Sequence, residues 1–151
     1  MTTPDYDTDF YAWTQAQAAA LRAQDWAAVD IAHVAEEIED LWKSDEHHLT
    51  MLVLGFLELV YRPCVAEEGR YYWQSAVIAH ERSMLAYSLE ESPRLRPLLA
   101  RELPDAYTWA RQQVMRRQTP PLREPPAQCP WPLASLLDDH WWPPEAPARL
   151  P

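Results

Sequence analysis

Apolar side chains recur at spacings of three and four residues along most of the chain, a pattern typical of amphipathic helices. The first of these helices is predicted to begin near Asp7 to Asp9, because acidic side chains suit the positive end of a helix dipole, and to carry Phe10 and Trp13 on its apolar face. No alternating strand pattern of useful length is present. The spacing therefore predicts an all-α protein.

The second apolar series extends over about thirty residues, with Asp30 as the expected cap at its start. Its members are Ile31, Val34, Ile38, Leu41, Leu49, Leu52, Phe56 and Val60. Asp45 occupies a position where an apolar residue is expected, so either the helix kinks near Ser44 or two helices meet there. The stretch from Leu49 to Tyr61 is apolar on nearly every face, which predicts a central, buried helix.

Two further helices are expected after Pro63. Residues 71–89 place a series of apolar or aromatic residues and one histidine on one face, which we expect to lie on the core: Trp73, Val77, Ile78, His80, Met84, Leu85, Tyr87 and Leu89. Trp13, Trp26 and Trp42 are likewise expected in the core. Ser92 and Pro93 predict the start of the next helix, which Pro97 and Pro104 should kink or split.

Ten of the fifteen prolines lie at position 120 or beyond, which indicates an extended segment there. This segment also carries large apolar side chains, and these favour docking on a core: Trp131, Leu133, Leu136, Leu137, Trp141 and Trp142. One short helix is expected at 132–138. The sequence thus predicts a single-domain helical bundle over 1–151, built around a central apolar helix. Residues 1–118 form the helical core, and the proline-rich, tryptophan-bearing tail 119–151 packs on it.

The net charge of −10 lies entirely in the first sixty residues, where twelve acidic residues face only Arg22 and Lys43. Nucleic-acid binding requires a basic stripe and is disfavoured, whereas an acidic surface favours a basic protein partner. No apolar run approaches the roughly 20 residues that span a bilayer, and the acidic start lacks a signal-peptide core. We therefore expect no membrane association and a cytoplasmic location. Cys64 and Cys129 are expected to be reduced, structural thiols.

Several short motifs resemble, in order and spacing, those of the bacterial family catalogued as domain of unknown function 29, which is abundant in cyanobacteria. They are residues 5–13 (DYDTDFYAW), 35–41 (AEEIEDL) with Ser44, 61–63 (YRP), Trp73, 92–95 (SPRL), Tyr107, 110–111 and 129–131 (CPW). The resemblance covers about residues 5–142. It implies a helical fold and no established activity, catalytic residue or binding residue. The family often has a histidine and a basic residue where this chain has Gly55 and Glu58.

Glu37, His48 and His80 are the candidate inter-helix polar site. Glu37 and His48 border one apolar stripe, and His80 lies on the apolar face of another helix, so antiparallel packing would bring them together. Such a site would bind a metal ion or transfer protons. The chain lacks the Glu-x-x-His pairs of bundle metal sites, and the sequence assigns no metal or cofactor. The alternative is that Glu37 and His48 are rim residues and that His80 is a core-edge histidine with an ordinary hydrogen-bond partner.

Trp141 and Trp142 are the candidate interaction surface, because two adjacent tryptophans cannot easily both be buried. The leading hypothesis is a non-enzymatic protein-interaction or regulatory module with an acidic first half. The alternative is a metal-dependent or acid–base enzyme that uses the Glu37, His48 and His80 site. The third hypothesis, a nucleic-acid-associated regulator, would use arginines such as Arg111, Arg116 and Arg117 and is disfavoured by charge. The sequence assigns no oligomeric state.

Overall fold

The computed structural model of the chain describes residues 5–62, 68–117 and 121–146. In chain order the helices are α1 (Phe10–Ala23), α2 (Ile31–Asp40), α3 (Lys43–Tyr61), α4 (Glu68–Glu91), α5 (Leu95–Arg116) and α6 (Leu133–Leu136). No strand occurs in the described part of the chain, so the all-α prediction is confirmed.

The chain divides into two compact units, Met1–Trp42 and Lys43–Pro151, and each is described by itself. We expected one domain over residues 1–151, made of a helical core (1–118) and a docked tail (119–151). That division stays a prediction. None of the helices in the described ranges is long and apolar enough to cross a membrane.

The first unit contains α1 and α2, and both helices begin at a capping aspartate. The Asp9 carboxylate accepts a hydrogen bond from the Ala12 N–H at 2.9 Å, and the Asp30 carboxylate accepts one from the His33 N–H at 3.4 Å. Both starts agree with the sequence. The buried Gln17 side chain joins α1 to the start of α2, since its Oε1 accepts from the Asp30 N–H at 2.7 Å.

Helix α2 ends at Asp40 and α3 begins at Lys43, so the apolar series is divided between two helices, which is one of the two forms predicted at its polar break. Helix α3 is the centre of the second unit and packs against both α4 and α5. As predicted, Leu52, Phe56 and Val60 are buried. The core around α3 is therefore set by the apolar run that the sequence displays.

Gly55 allows α3 and α4 to approach closely. A Cβ atom added at Gly55 would lie 3.0 Å from Cγ1 of Ile78. Because Gly55 faces Ile78 while His48 pairs with Glu81, residue numbers rise along one helix as they fall along the other. The two helices are antiparallel.

The face of α4 that lies on the core differs from the predicted one. Ile78 and Leu85 are fully buried, but Trp73 is 71% exposed and Tyr87 is 64% exposed. Val77 and Met84 are partly exposed. The prediction that this whole apolar series lies on the core is wrong. The reason is that the buried face also carries polar residues, which have partners only in the tertiary structure.

Those buried polar residues on α4 are Ser75, Glu81 and Arg82. Their presence weakens the hydrophobic signal of the buried face and leaves the more apolar stripe on the outside. In the first unit, Trp26 is also exposed, contrary to the prediction that it lies in the core, whereas Trp13 is buried as expected.

Helix α5 begins at Leu95, one short turn after Ser92 and Pro93, and continues without interruption to Arg116. The predicted split is wrong. Pro97 lies in the first turn, where helical N–H groups have no partner in the helix. Pro104 is inside the helix but on its exposed side, where water can satisfy the carbonyl that its missing N–H leaves free.

The tail packs on the rest of the second unit through buried side chains that include Trp131 and Leu136. Its backbone is also held, because the Leu122 N–H donates to the Tyr61 carbonyl at 2.9 Å and the Tyr107 hydroxyl donates to the Pro126 carbonyl at 2.8 Å. The expected docking of the tail and its short helix are both found in residues 121–146.

Candidate functional site

A close polar contact between α3 and α4 joins His48 to Glu81. Nδ1 of His48 lies 2.6 Å from Oε2 of Glu81, and the two side chains are 19% and 11% exposed. Helix α3 places His48 one turn before the buried Leu52, and α4 places Glu81 between the buried Ile78 and Leu85. The antiparallel packing of two apolar faces therefore brings this pair together.

His80 lies beside this pair on the exposed side of α4. Its ring centroid is 6.3 Å from that of His48, with the planes at 75°. The structure thus brings His48 and His80 together and adds Glu81. The signal for Glu81 in the sequence is its position three residues after Ile78 and four before Leu85, which places it on their face.

Glu37, the third candidate residue, lies on α2 in the first unit, where its carboxylate accepts a hydrogen bond from the Tyr6 hydroxyl. This bond is the main reason that the pKa of Tyr6 rises to about 12. The convergence of Glu37 with His48 and His80 stays a prediction.

The His48 pair has the geometry for proton transfer. When neutral His48 donates from Nδ1 to Glu81, Nε2 is left as a proton acceptor. Within the described residues, no group of three or more His, Cys, Asp or Glu side chains is placed to hold a metal ion.

A second cluster of titratable and aromatic side chains lies in the first unit. The ring of Tyr6 stacks on His33 with centroids 4.1 Å apart, and the edge of Trp13 packs on Tyr6. Nδ1 of His33 is 2.6 Å from the Asp30 carboxylate, and this hydrogen bond raises the pKa of His33 and lowers that of Asp30. These side chains line a cavity of about 340 Å³ together with Asp5.

Helix α2 presents an apolar stripe to solvent. Ile31 is 67% exposed, Ile38 62% and Leu41 74%, and no α2 side chain is buried. The spacing of these residues is helical, so they share one face. The apolar spacing of this stripe is visible in the sequence, but its exposure to solvent is not.

Trp141 and Trp142 are both half-buried in the second unit. Their rings lie 5.7 and 6.0 Å from that of Phe56, and the Arg82 guanidinium lies over Phe56 and Trp142. Most of their contact is therefore with the core. Their use as an interaction surface stays a prediction that concerns only the part of each ring that remains exposed.

Two of the three arginines named for nucleic-acid binding form ion pairs within the second unit. Arg111 pairs with Glu124, and Arg117 pairs with Glu58 at 2.7 Å. Each pair lowers the positive charge available to a phosphate. The expectation that the chain does not bind nucleic acid stays a prediction.

Cys129 is largely enclosed, and its Sγ lies 3.3 Å from the Trp131 carbonyl. Burial raises the pKa of this thiol, which keeps it protonated and unreactive. Cys64 lies outside the described residues.

Comparison with known proteins identifies the family of this chain. The model of the family described as domain of unknown function DUF29 matches residues 6–142. This match confirms the resemblance inferred from the ordered motifs. No curated protein and no solved structure matches the chain.

Proposed function

Because this chain belongs to the DUF29 family, whose description assigns no activity, we propose a function from its own surface. The chain is a non-enzymatic protein-interaction module. Its first unit binds a basic protein partner through helix α2.

The observation that carries this proposal is the exposed apolar stripe of α2, formed by Ile31, Ile38 and Leu41. A helix in a monomeric globular protein usually turns such a stripe toward a core. Here each of the three residues is more than half exposed to solvent. An exposed apolar stripe of this kind is typical of a surface that binds another protein.

Charge defines the kind of partner. Glu36, Glu39 and Asp40 lie on the same helix as the apolar stripe, and the first sixty residues carry the entire net charge of the chain. A partner with an apolar patch rimmed by lysine and arginine would complement both features. Long-range attraction between the two surfaces would speed association at low salt.

The test is capture from native lysate with the intact chain, followed by quantitative mass spectrometry at low and high salt. Ile38→Asp places a charge in the middle of the stripe, and Leu122→Asp makes the same change at a residue of similar exposure in the other unit. We expect a basic protein that Ile38→Asp loses, that Leu122→Asp retains and that high salt weakens. Capture of nothing specific, or a partner that Ile38→Asp retains, would overturn the proposal.

A second candidate function, acid–base catalysis, is favoured by the contact of 2.6 Å between His48 and Glu81 and by the neighbouring ring of His80. Its test is turnover of ester, amide and phosphoester substrates by the wild-type chain, His48→Gln and His47→Gln. His47 is the matched control because it is adjacent and exposed. Activity that only His48→Gln abolishes would support this function, and activity that both variants retain would contradict it.

A further inference from the structure

The exposed face of α4 forms a continuous apolar stripe, which we call the α4 stripe. It consists of Trp73, Val77, His80, Met84 and Tyr87, at alternating spacings of four and three residues. That alternation is the pattern of the seam between two packed helices. Trp73 and Tyr87 are exposed over most of their area, and Val77 and Met84 over more than a third. The α4 stripe therefore has the form of a helix-packing seam without a partner.

The exposed side chains of α4 between residues 73 and 89 carry no charge. Between residues 73 and 89 the charged side chains are Glu81 and Arg82, and both are buried. The exposed residues that flank the stripe are small: Ala76, Ala79, Ser83 and Ala86. A neutral surface gives a highly charged partner nothing to pair with, and small flanking residues let a second helix approach closely.

The order of residue types along the α4 stripe is symmetric about His80. An aromatic residue lies at each end, an aliphatic residue lies inside each aromatic one, and His80 lies at the centre. Trp73 and Tyr87 are each seven residues from His80. A surface of this kind matches itself when a second copy is turned by 180°.

We propose that the α4 stripe binds the same stripe of a second copy of this chain. The two α4 helices pack antiparallel about a two-fold axis close to His80, so that Trp73 of one copy lies against Tyr87 of the other. This proposal is independent of the basic partner of the first unit, because it concerns a different surface.

A groove at the Trp73 end of the stripe supports this arrangement. It has a volume of about 340 Å³ and lies between α3 and α4. Its apolar lining includes Met51, Leu54 and Val77, and its polar lining includes Arg62 and the Glu58–Arg117 ion pair. Tyr87 of the second copy reaches this end of the stripe and would enter the groove with its hydroxyl toward the polar side.

The size of the stripe sets the expected affinity. Trp73 and Tyr87 together would bury on the order of 250 Å² in each copy, since a buried aromatic side chain covers about 150–250 Å². With the smaller residues added, the contact stays below the roughly 800 Å² per partner of a standard interface. We therefore expect a reversible dimer whose dissociation constant is in the micromolar range.

The first test measures molar mass by light scattering and sedimentation over about 1 µM to 1 mM, a range that brackets weak association. Met84→Glu places like charges near the axis. Tyr87→Glu places a charge against Trp73 of the second copy, at a more exposed site that should not disturb folding. Gln112→Glu is the matched control, because it adds the same charge to an exposed position on α5. We expect the first two variants to raise the dissociation constant at least about tenfold and the control to leave it unchanged.

The second test is a disulfide across the proposed axis. His80→Cys should form a disulfide between the two copies under mild oxidation, identified as a peptide joined to itself at position 80. Gln112→Cys should not.

A wild-type chain that remains monomeric at the highest concentration would overturn the proposal. A dimer that both Met84→Glu and Tyr87→Glu retain, or that never joins at position 80, would also overturn it. In that case another surface forms the dimer and another occupant covers the stripe.

Discussion

Arg82 holds the tail on the second unit, and replacing it with methionine should show how much of the stability depends on that contact. The Arg82 side chain is 2% exposed. Its Nε donates to the Leu136 carbonyl at 2.8 Å, and one terminal nitrogen donates to the Trp141 carbonyl at 2.7 Å. Methionine keeps most of the apolar stem and removes the donors.

The magnitude follows from these two short bonds. A hydrogen bond from a charged donor contributes about 1.5–3 kcal/mol, and a buried carbonyl left without a donor costs about 1–3 kcal/mol. The contacts at 3.5 Å to the Ser135 and Asp139 carbonyls are long enough to be ignored. Burial disfavours the charge and lowers the pKa of Arg82, so part of the gain is offset. We expect Arg82→Met to reduce the free energy of unfolding by about 3–5 kcal/mol.

The assay is urea denaturation followed by tryptophan fluorescence, with the midpoint and slope fitted together. Arg82→Lys should recover less than half of the loss, because one ammonium cannot reach two carbonyls with the geometry of a guanidinium. Arg96→Met removes an exposed arginine from α5 and should change stability by less than about 0.5 kcal/mol. A loss below about 1 kcal/mol for Arg82→Met would show that Arg82 does not fix the tail.

Three further predictions concern the core, the tail and the first unit. Phe56→Ala should cost about 3–5 kcal/mol in urea denaturation, because Phe56 is fully buried among aromatic rings, and a melting temperature close to that of the parent would contradict this. Truncation after Arg117 should lower the melting temperature sharply, since it removes the buried tail residues, whereas rapid proteolysis to this point with unchanged stability would show a free tail. NMR titration should give His33 a pKa above 6.5, and Asp30→Asn should return it toward 6.5. The raised pKa of His33 means that its stabilising effect is full below pH 6.5 and disappears as the pH rises through the folded value. The lowered pKa of Asp30 means that the effect also disappears as the pH falls through a value below 3.8. A His33 pKa that Asp30→Asn does not change would refute this coupling.

The candidate site was only partly readable from the sequence. Helical spacing placed His48 beside one apolar stripe, and the structure brings it close to His80. Helical spacing did not reveal that Glu81 is the direct partner of His48, since an isolated acidic residue between apolar positions resembles a solvated side chain. Pair formation depends on the axial alignment of α3 against α4, and Gly55 and Ile78 set that alignment through close packing.

Helix α4 shows why the choice of a buried face requires the tertiary structure. Its most apolar face contains Trp73 and Tyr87, yet the face with Glu81 and Arg82 lies inside. Burial of a polar group is unfavourable unless a partner satisfies it. His48 supplies that partner for Glu81, and the tail carbonyls supply it for Arg82. These partners are 33 and more than fifty residues away in sequence, so no local sequence pattern predicts them.

The sequence by itself determined the helical class, the central helix from Leu49 to Tyr61 and the docking of a proline-rich tail. These features depend on side-chain periodicity, on the caps at Asp9 and Asp30 and on the amount of apolar area, all of which are local properties. The tertiary structure alone decided which face of α4 is buried and that the Trp73 face remains outside. Those outcomes depend on pairs of polar groups that come together only when distant segments pack. The interaction free energy of each pair therefore arises only in the folded chain.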